Sequence, residues 1–237
     1  MTSEPICDSP SDHLLVPENE RPDQHRPRST KETPHPTSRL FVLARHAESF
    51  ANVTGVVSSD PGRPVGLTPW GRAQARQLGA QLANLEIDLA VCSRLLRTQQ
   101  TVELALQARP IPVLVEEDFD EVRAGDFDEQ PIENYWSWEQ QHTDKARLPH
   151  GESLEEALLR YAAGLRRLLS RTEPVTLLVM HELALHHLAN GASMSQSPSS
   201  PSSFVNALPY LFDEHAIARA VTVMERSTES LRAETGP

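Results

Sequence analysis

The stretch that most constrains the fold of this chain runs from Leu40 to Ser49 and reads Leu-Phe-Val-Leu-Ala-Arg-His-Ala-Glu-Ser. Its first half is apolar and is bounded by polar sequence, which is typical of a buried strand. Arg45, His46 and Glu48 follow at once. In open α/β sheets, ligands bind outside the carboxyl ends of the strands, so charged side chains at such an end can act on a ligand. Inside the strand the same side chains would be buried at a high cost in free energy.

A second segment repeats this arrangement, because the apolar run 175–180 leads directly into His181. Helical patterns separate the candidate strands, for example after the capping pair Thr68-Pro69 and after the capping box that starts at Ser153. We predict strands at 40–44, 88–92, 113–115, 175–180, 207–212 and 220–224, and helices from Pro69, from the cap Ser93 to 107, at 153–170 and at 182–189. Strands that alternate with helices predict an α/β fold, with a mostly parallel central sheet flanked by helices on both faces.

Composition divides the 237 residues into three parts. Residues 1–38 are rich in Pro, Ser and charged residues and lack apolar clusters, so we expect a disordered Pro-rich tail. The folded domain is expected over 39–226, followed by a flexible C-terminus at 227–237. Within the domain, irregular segments are expected at 50–66 and 118–149, and a Ser/Pro-rich loop at 192–203.

The formal net charge of −11 argues against partners that carry many negative charges, so we expect neither nucleic acid nor a membrane surface as a partner. Cys7 and Cys92 form neither a disulfide framework nor a zinc ligand set, which favours a reducing compartment. The sequence has no apolar run of membrane-spanning length and no core of a signal peptide. These observations predict a cytoplasmic protein, and they leave its oligomeric state open.

The candidate chemistry lies where the predicted strands end. His46 and His181 can meet at one edge of the sheet, and Arg97 lies one turn into the helix predicted to begin at Ser93. Arg45 and Arg97 would match the oxygens of a phosphate dianion with their guanidinium groups. A neutral histidine in such a pocket is a competent nucleophile toward phosphorus. No Gly-rich phosphate loop or carboxylate cluster for Mg²⁺ is present, so we expect no metal and no cofactor.

Five motifs together resemble the histidine phosphatase superfamily, in the branch of the phosphoglycerate mutases and their phosphatase relatives. They cover about residues 40–224 in the expected order. The first is Arg45, His46, Ala47, Glu48, Ser49 and Asn52; the second is Leu67, Thr68, Gly71, Gln74 and Ala75; the third is Ser93, Leu95, Arg97, Gln100 and Thr101. The fourth is Glu121 with Gly125, and the fifth is Gly151, Glu152 and Ser153, after which His181 takes the place of the second histidine.

The resemblance implies a phosphoglycerate mutase-like fold and a metal-independent reaction through a phosphohistidine. His46 would attack the phosphoryl group of a small phosphorylated metabolite, and Glu121 would protonate the leaving oxygen and later activate water. The site residues that it implies are catalytic His46, Glu121 and His181, and phosphate-binding Arg45, Asn52 and Arg97. His181 is expected to stabilise charge as a hydrogen-bond donor.

Mutases of this family carry a long basic insertion before the helix that the Gly-Glu-Ser motif opens. Here the segment 121–151 is short and acidic, which favours a phosphomonoesterase over a phosphoglycerate mutase-type phosphotransferase. A second alternative is an inactive phosphate-binding module, and Glu182 is the argument for it, because the family usually has glycine after the second histidine. Glu182 is expected either to face away from the phosphate or to act as a proton donor.

Several other residues near these motifs have less specific interpretations. Trp136 and Trp138 form a lid over the pocket or simply pack the irregular segment. His186 and His187 are expected on a helix surface. Arg63 is the nearest base in the loop where the family usually carries a substrate-binding arginine.

Overall fold

The computed structural model describes residues 38–107, 109–192 and 204–233, with side chains to residue 226. The expected tail at 1–38 and the expected loop at 192–203 therefore lie almost wholly outside the described residues, and the C-terminus at 227–237 is described at most as backbone. The strands are β1 (Leu40–Arg45), β2 (Leu89–Cys92), β3 (Val113–Val115), β4 (Val175–Met180) and β5 (Pro209–Asp213). The helices are α1 (Phe50–Thr54), α2 (Pro69–Gln81), α3 (Leu96–Ala105), α4 (Ile132–Glu139), α5 (Leu154–Leu169), α6 (Glu182–Ala192) and α7 (Glu214–Ala233).

The five strands form one sheet in the order β3-β2-β4-β1-β5, and only β5, at one edge, runs antiparallel to its neighbour. The predicted mostly parallel sheet is therefore confirmed. In the parallel pair β1–β4, Arg45 lies beside Met180. The backbone N–H of His46 then donates to the carbonyl of Met180 at 2.9 Å. Because β1 and β4 end at the same level, His46 and His181 leave the sheet side by side.

Alternate residues of β1 point to two different apolar cores, one on each face of the sheet. Phe41 and Leu43 belong to the core that is completed by α5, α6 and α7. Val42 and Ala44 belong to the core formed with α2 and α3. A strand whose side chains are buried on both faces reads as a continuous apolar run, as β1 does. The prediction of helices on both faces is confirmed.

Two predicted helix starts are formed by the expected side chains. Thr68 precedes α2 and its hydroxyl accepts from the N–H of Gly71 at 2.9 Å. Ser153 and Glu156 make the reciprocal capping box that begins α5, at 2.9 and 3.1 Å. These bonds satisfy N–H groups that have no partner inside the helix.

The strand predicted at 220–224 is wrong, because these residues lie within α7. The β-branched residues of the run favoured a strand. The apolar side chains that are buried in the first core, however, recur at helical spacing: Ala216, Ile217, Ala220, Val221 and Met224. Packing of this apolar face against α5 and α6 overrides the local preference for a strand.

Three further predictions need correction. The expected loop at 50–66 begins with the short helix α1, and the expected irregular segment at 118–149 contains α4. Ser93 does not cap a helix, since α3 begins at Leu96 and its N-cap is Leu95. Within the described part of the chain, none of the helices combines the length and the apolar character that crossing a membrane requires.

Candidate active site

His46 and His181 meet at the carboxyl ends of β1 and β4, as predicted. Their ring centroids lie 5.3 Å apart. Both side chains are buried, with relative exposures of 3% and 0%. Burial and the nearby guanidinium groups of Arg97 and Arg45 hold the pKa of both imidazoles well below the ordinary value of 6.5. Both rings are therefore neutral at neutral pH.

The hydrogen bonds of His46 define its tautomer. A guanidinium group has only donors, so Nε of Arg97, 3.1 Å from Nε2 of His46, must donate to a lone pair there. The proton of the neutral ring is then on Nδ1, which donates to the carbonyl of Ala47 at 2.8 Å. This arrangement fixes the orientation of the ring and leaves Nε2 as the nitrogen with the lone pair.

Arg97 is 4% exposed and contacts both histidines. Its Nη2 donates to Nδ1 of His181 at 3.3 Å and to the carbonyl of Ser58 at 2.9 Å. Its Nη1 donates to the hydroxyl of Ser58 at 3.2 Å. Burial lowers its pKa, although an arginine so placed stays charged. The guanidinium is thus held in place before any ligand arrives.

Arg45 lies beside the histidines, and one of its N–H groups donates no hydrogen bond. Its Nη1 donates to the carbonyl of Phe204 at 3.1 Å and pairs with a carboxylate oxygen of Glu182 at 2.8 Å. Its Nε is buried and has no hydrogen-bond partner. A buried donor without a partner is costly, and an oxygen of a bound anion would satisfy it. Glu182 does not face away, because it pairs with Arg45 and lines the same cavity.

His181 is oriented from its far side by Ser93. Because Nδ1 of His181 accepts from Arg97, its Nε2 carries the proton and donates to the hydroxyl of Ser93 at 2.9 Å. That hydroxyl also lies 2.8 Å from the hydroxyl of Thr98, which in turn is 2.8 Å from the carbonyl of Leu95. Ser93 therefore holds the ring of His181 instead of capping α3.

Glu121 approaches the histidines from the segment after β3. One of its carboxylate oxygens lies 3.8 Å from Nδ1 of His181, and its side chain is 26% exposed. The other oxygen accepts from the N–H of Val122 at 3.1 Å. Burial raises the pKa of Glu121 above its ordinary value, against the opposing charge of Arg97. A carboxyl group with a raised pKa can give up a proton during a reaction.

Asn52 lies on the cavity wall in α1. Its side-chain oxygen accepts from the N–H and the hydroxyl of Ser49, both at 2.9 Å. The amide nitrogen is the group that is left to donate to a ligand. Five of the six predicted site residues thus line one cavity, and the sixth, His181, is fully buried and contacts Arg97 and His46.

Residues from the second and third motifs hold the segment that follows His46. Thr101 accepts from the N–H of Ala47 at 3.0 Å, and Gln74 accepts from the N–H of Glu48 at 2.8 Å. Gly71 packs so closely here that a Cβ would lie 1.9 Å from the carbonyl oxygen of Glu48. Two hydrogen bonds and one close backbone contact thus hold the segment that follows His46, and the contact at Gly71 leaves no room for a side chain.

The fourth and fifth motifs hold Glu121 in the same way. Glu152 is buried, pairs with Arg160 and accepts from the N–H of Arg123 at 3.0 Å. Arg160 also donates to the carbonyl of Glu121 at 3.3 Å. Gly125 has a φ of +58°, and a Cβ there would lie 2.0 Å from a backbone oxygen. The backbone that carries Glu121 is thus fixed by a buried ion pair.

The site opens into a cavity of about 530 Å³. One wall is α4, from which Ile132, Tyr135, Trp136 and Glu139 line the cavity. Trp136 lines the cavity, so the lid interpretation stays a prediction for this residue, whereas Trp138 packs on Phe127 and stacks on His142. Among the residues that the structure describes, no three His, Cys, Asp or Glu side chains are arranged to hold a metal ion.

Residues 41–206 match the sequence model of the histidine phosphatase superfamily, branch 1. That match spans well over half of the chain. The chain belongs to the histidine phosphatase superfamily.

Three relatives illustrate the range of this superfamily. The Adenosylcobalamin/alpha-ribazole phosphatase of Escherichia coli is 34% identical over 42% of this chain and 52% of its own length, so the chain matches about half of that protein. An Enterobacter protein named "Probable phosphoglycerate mutase GpmB" is 29% identical over 60% of this chain and 69% of its own length. The crystal structure of the alpha-ribazole phosphatase of Shigella flexneri superposes with a TM-score of 0.58, at 26% identity, over 73% of this chain and 89% of that one. The fold is that of phosphoglycerate mutase-like histidine phosphatases.

Sequence reasoning missed several residues of this histidine phosphatase site. Ser58 accepts two hydrogen bonds from Arg97, a role that sequence reasoning did not assign to it. His186 was expected on a helix surface but lines the cavity, one helical turn after Glu182. Glu182 follows the predicted site residue His181, so the i, i+4 spacing from Glu182 to His186 could have indicated that His186 lies on the same side of the helix. Arg63 is half exposed and pairs with Asp60 and Glu129, outside the cavity lining.

Proposed function

We propose that the protein is a metal-independent phosphomonoesterase that acts on a small phosphorylated metabolite through a phosphohistidine on His46. The observation that supports this most directly is the lone pair on Nε2 of His46, beside two guanidinium groups. The buried, unpartnered Nε of Arg45 offers a place for a phosphoryl oxygen. A reducing, cytoplasmic setting suits a chain whose described cysteine, Cys92, is free and buried.

In the first step, Nε2 of His46 forms a bond to phosphorus while the bond from phosphorus to the ester oxygen breaks. Glu121 gives its proton to the departing oxygen, so that a neutral alcohol leaves. Arg45 and Arg97 stabilise the charge on the equatorial oxygens. When Nη2 of Arg97 turns from Nδ1 of His181 to the phosphoryl group, the dianion favours uptake of a proton from water by His181, and Nδ1 then donates toward the phosphoryl group.

In the second step, the deprotonated Glu121 takes a proton from water, and the water oxygen attacks phosphorus. The bond from phosphorus to Nε2 breaks and inorganic phosphate leaves, which restores the free enzyme. Glu121 is 26% exposed, so water can reach it in the open cavity. The names of the alpha-ribazole phosphatases among the relatives agree with hydrolysis of a small phosphate ester.

Transfer to a second substrate hydroxyl, as in a mutase, is the alternative, and the relatives named phosphoglycerate mutase GpmB favour it. The acidic side chains of the cavity wall, Glu139 and Glu182, argue against a phosphoglycerate, which carries a carboxylate. Incubation with 3-phosphoglycerate and a trace of the bisphosphate separates the two functions. We expect released phosphate to exceed isomerised product; the reverse would establish the mutase.

The test of the proposed function is hydrolysis of p-nitrophenyl phosphate by the wild type and by His46→Ala. Removing an essential nucleophile typically lowers the rate by about 10⁴-fold or more. The matched control is His215→Ala, because His215 is exposed on α7, away from the cavity. If His46→Ala hydrolysed the ester as fast as the wild type, this function would be refuted. It would also be refuted if the wild type hydrolysed no phosphate ester at all.

A further inference from the structure

The charges that line the cavity are unevenly distributed. Among the described lining residues, the cations are Arg45 and Arg97, and both contact the groups that surround the nucleophile. The carboxylates of the lining are Glu121, Glu139 and Glu182. Once a phosphoryl group has neutralised the two arginines, the rest of the wall presents carboxylates to the alcohol part of the substrate.

Glu182 lies next to the phosphoryl site, because its carboxylate is 2.8 Å from Nη1 of Arg45. Its side chain is 38% exposed and lines the cavity. A second anionic group on a substrate would have to compete with this carboxylate for Arg45 or lie beside it. Like charges at such distances repel, and the repulsion is stronger near a protein surface than in water.

The cavity lining also contains apolar and aromatic residues. Trp136 lines the cavity while it is 51% exposed, and Val56, Ile132 and Leu183 line it as well. An exposed tryptophan at the mouth of a cavity offers a flat apolar surface on which a ring can stack. On the same helix, Tyr135 donates its hydroxyl to Glu139 at 2.9 Å, which holds that carboxylate beside the aromatic side chains.

We propose that Glu182 and Glu139 determine specificity: the site takes phosphate monoesters of apolar or aromatic alcohols that are neutral or cationic, and it rejects esters that carry a second negative charge. Trp136 supplies the surface against which the alcohol part packs. This inference rests on the proposed phosphomonoesterase function and narrows its substrate class. It adds specificity residues that the five motifs do not contain.

The experiment compares two substrates of nearly equal shape, benzyl phosphate and 4-carboxybenzyl phosphate. In the wild type we expect kcat/KM for benzyl phosphate to be roughly tenfold or more higher than for 4-carboxybenzyl phosphate. Repulsion between nearby like charges is large enough to produce a ratio of this order. In Glu182→Gln, and further in Glu182→Gln with Glu139→Gln, this ratio should fall toward one. In Trp136→Ala, KM should rise for both esters, and the ratio of their kcat/KM values should remain that of the wild type.

The matched control is Glu133→Gln, because Glu133 is exposed on the same helix but does not line the cavity. Its ratio should equal that of the wild type. Equal kcat/KM for the two esters in the wild type, or a ratio that both glutamine substitutions leave unchanged, overturns the inference. If hydrolysis of the two esters is still lost in His46→Ala, the proposed phosphomonoesterase function stands even though this inference fails.

Binding gives a second readout that does not need turnover. Benzylphosphonate and 4-carboxybenzylphosphonate cannot be hydrolysed, and calorimetry gives their Kd for each variant. The wild type should bind the neutral phosphonate roughly tenfold more tightly, and Glu182→Gln should reduce that difference. Equal affinities would contradict the inference even in an enzyme for which no turnover is found.

Discussion

The two ends of the cavity are built differently. At the phosphoryl end, His46 and His181 emerge from neighbouring strands, and Arg97 is 4% exposed and donates a hydrogen bond from each of its three nitrogens. At the outer end, the wall is helix α4, whose residue Trp136 is 51% exposed. A group that is fixed before the substrate binds needs no reorganisation during the reaction. The comparison suggests that the sheet edge performs the chemistry and that the helical rim selects the alcohol part.

The comparison leads to different kinetic expectations for the two ends. Substitutions at the sheet edge should lower kcat for every phosphate ester, because they remove interactions with the transferred group. Substitutions at the rim should change the preference among esters. The predictions below test this separation in order of decreasing effect.

Among the substitutions that follow, Glu121→Gln should have the largest effect, since it removes the proposed proton donor. We expect kcat for an alkyl phosphate to fall by about 10² to 10⁴-fold. An aryl phosphate should lose less, because its leaving oxygen needs little protonation. Equal losses for the two esters would contradict the assignment of Glu121 as the acid.

The pH profile tests the same residue. Because the pKa of Glu121 is raised, its acid form persists above the ordinary range and is lost as the pH rises through that pKa. Because the pKa of His46 is lowered well below 6.5, its neutral form is lost only at a more acid pH. We expect a bell-shaped kcat/KM with these two limbs, and Glu121→Gln should abolish the alkaline limb. A wild-type profile that is flat on the alkaline side would contradict this role.

Arg97→Ala should have the next largest effect. It removes a buried guanidinium that contacts both histidines, and we expect kcat to fall by about 10² to 10³-fold, as for the loss of other donors to a transition state. Arg63→Ala is the matched control, because Arg63 is half exposed and lies outside the cavity lining. Near-normal kcat in Arg97→Ala would refute its role.

Ser93→Ala should have a smaller effect, because Ser93 acts through His181. Losing one hydrogen bond costs about 1 kcal/mol, so we expect roughly a fivefold lower kcat. Ser93 is a positioning residue, and a role in stability alone would leave kcat of the folded enzyme unchanged. The measurement is therefore kcat together with the thermal midpoint, and unaltered kcat would show that Ser93 does not orient His181.

Tyr135→Phe, at the rim, should have the smallest effect. It removes the hydrogen bond to Glu139 and should lower the free energy of unfolding by about 1 kcal/mol or less. We expect kcat for a neutral aryl phosphate to stay within about twofold of the wild type. A large loss of kcat would show that the rim takes part in the chemistry, and the separation of the two ends would then fail.

The sequence indicated the phosphoryl end well, because a strand that ends in Arg45 and His46 is a local signal, and parallel strands end at one edge. The supporting contacts were not predictable. Ser93 bonds His181 across 88 positions of the sequence, and only the sheet brings the two together. Ser58 likewise joins the site through tertiary packing with Arg97, which no local pattern reports.

The helix α7 shows the same limit for the fold. Its segment 220–224 has the composition of a strand, but its buried residues follow the helical period when Ala216 and Ile217 are included. The segment is helical because one face of α7 packs on α5 and α6. These helices are distant in the sequence, so a short local pattern does not report the contact.

The most direct test of the account is to trap the enzyme during turnover and to locate any bound phosphate. Rapid quenching in alkali, followed by ³¹P NMR and mass spectrometry of the peptides, would identify the phosphorylated atom. We predict an acid-labile, alkali-stable phosphate on Nε2 of His46 in the wild type, and none in His46→Ala. A phosphate on another residue, or turnover without any phosphoenzyme, would contradict the account.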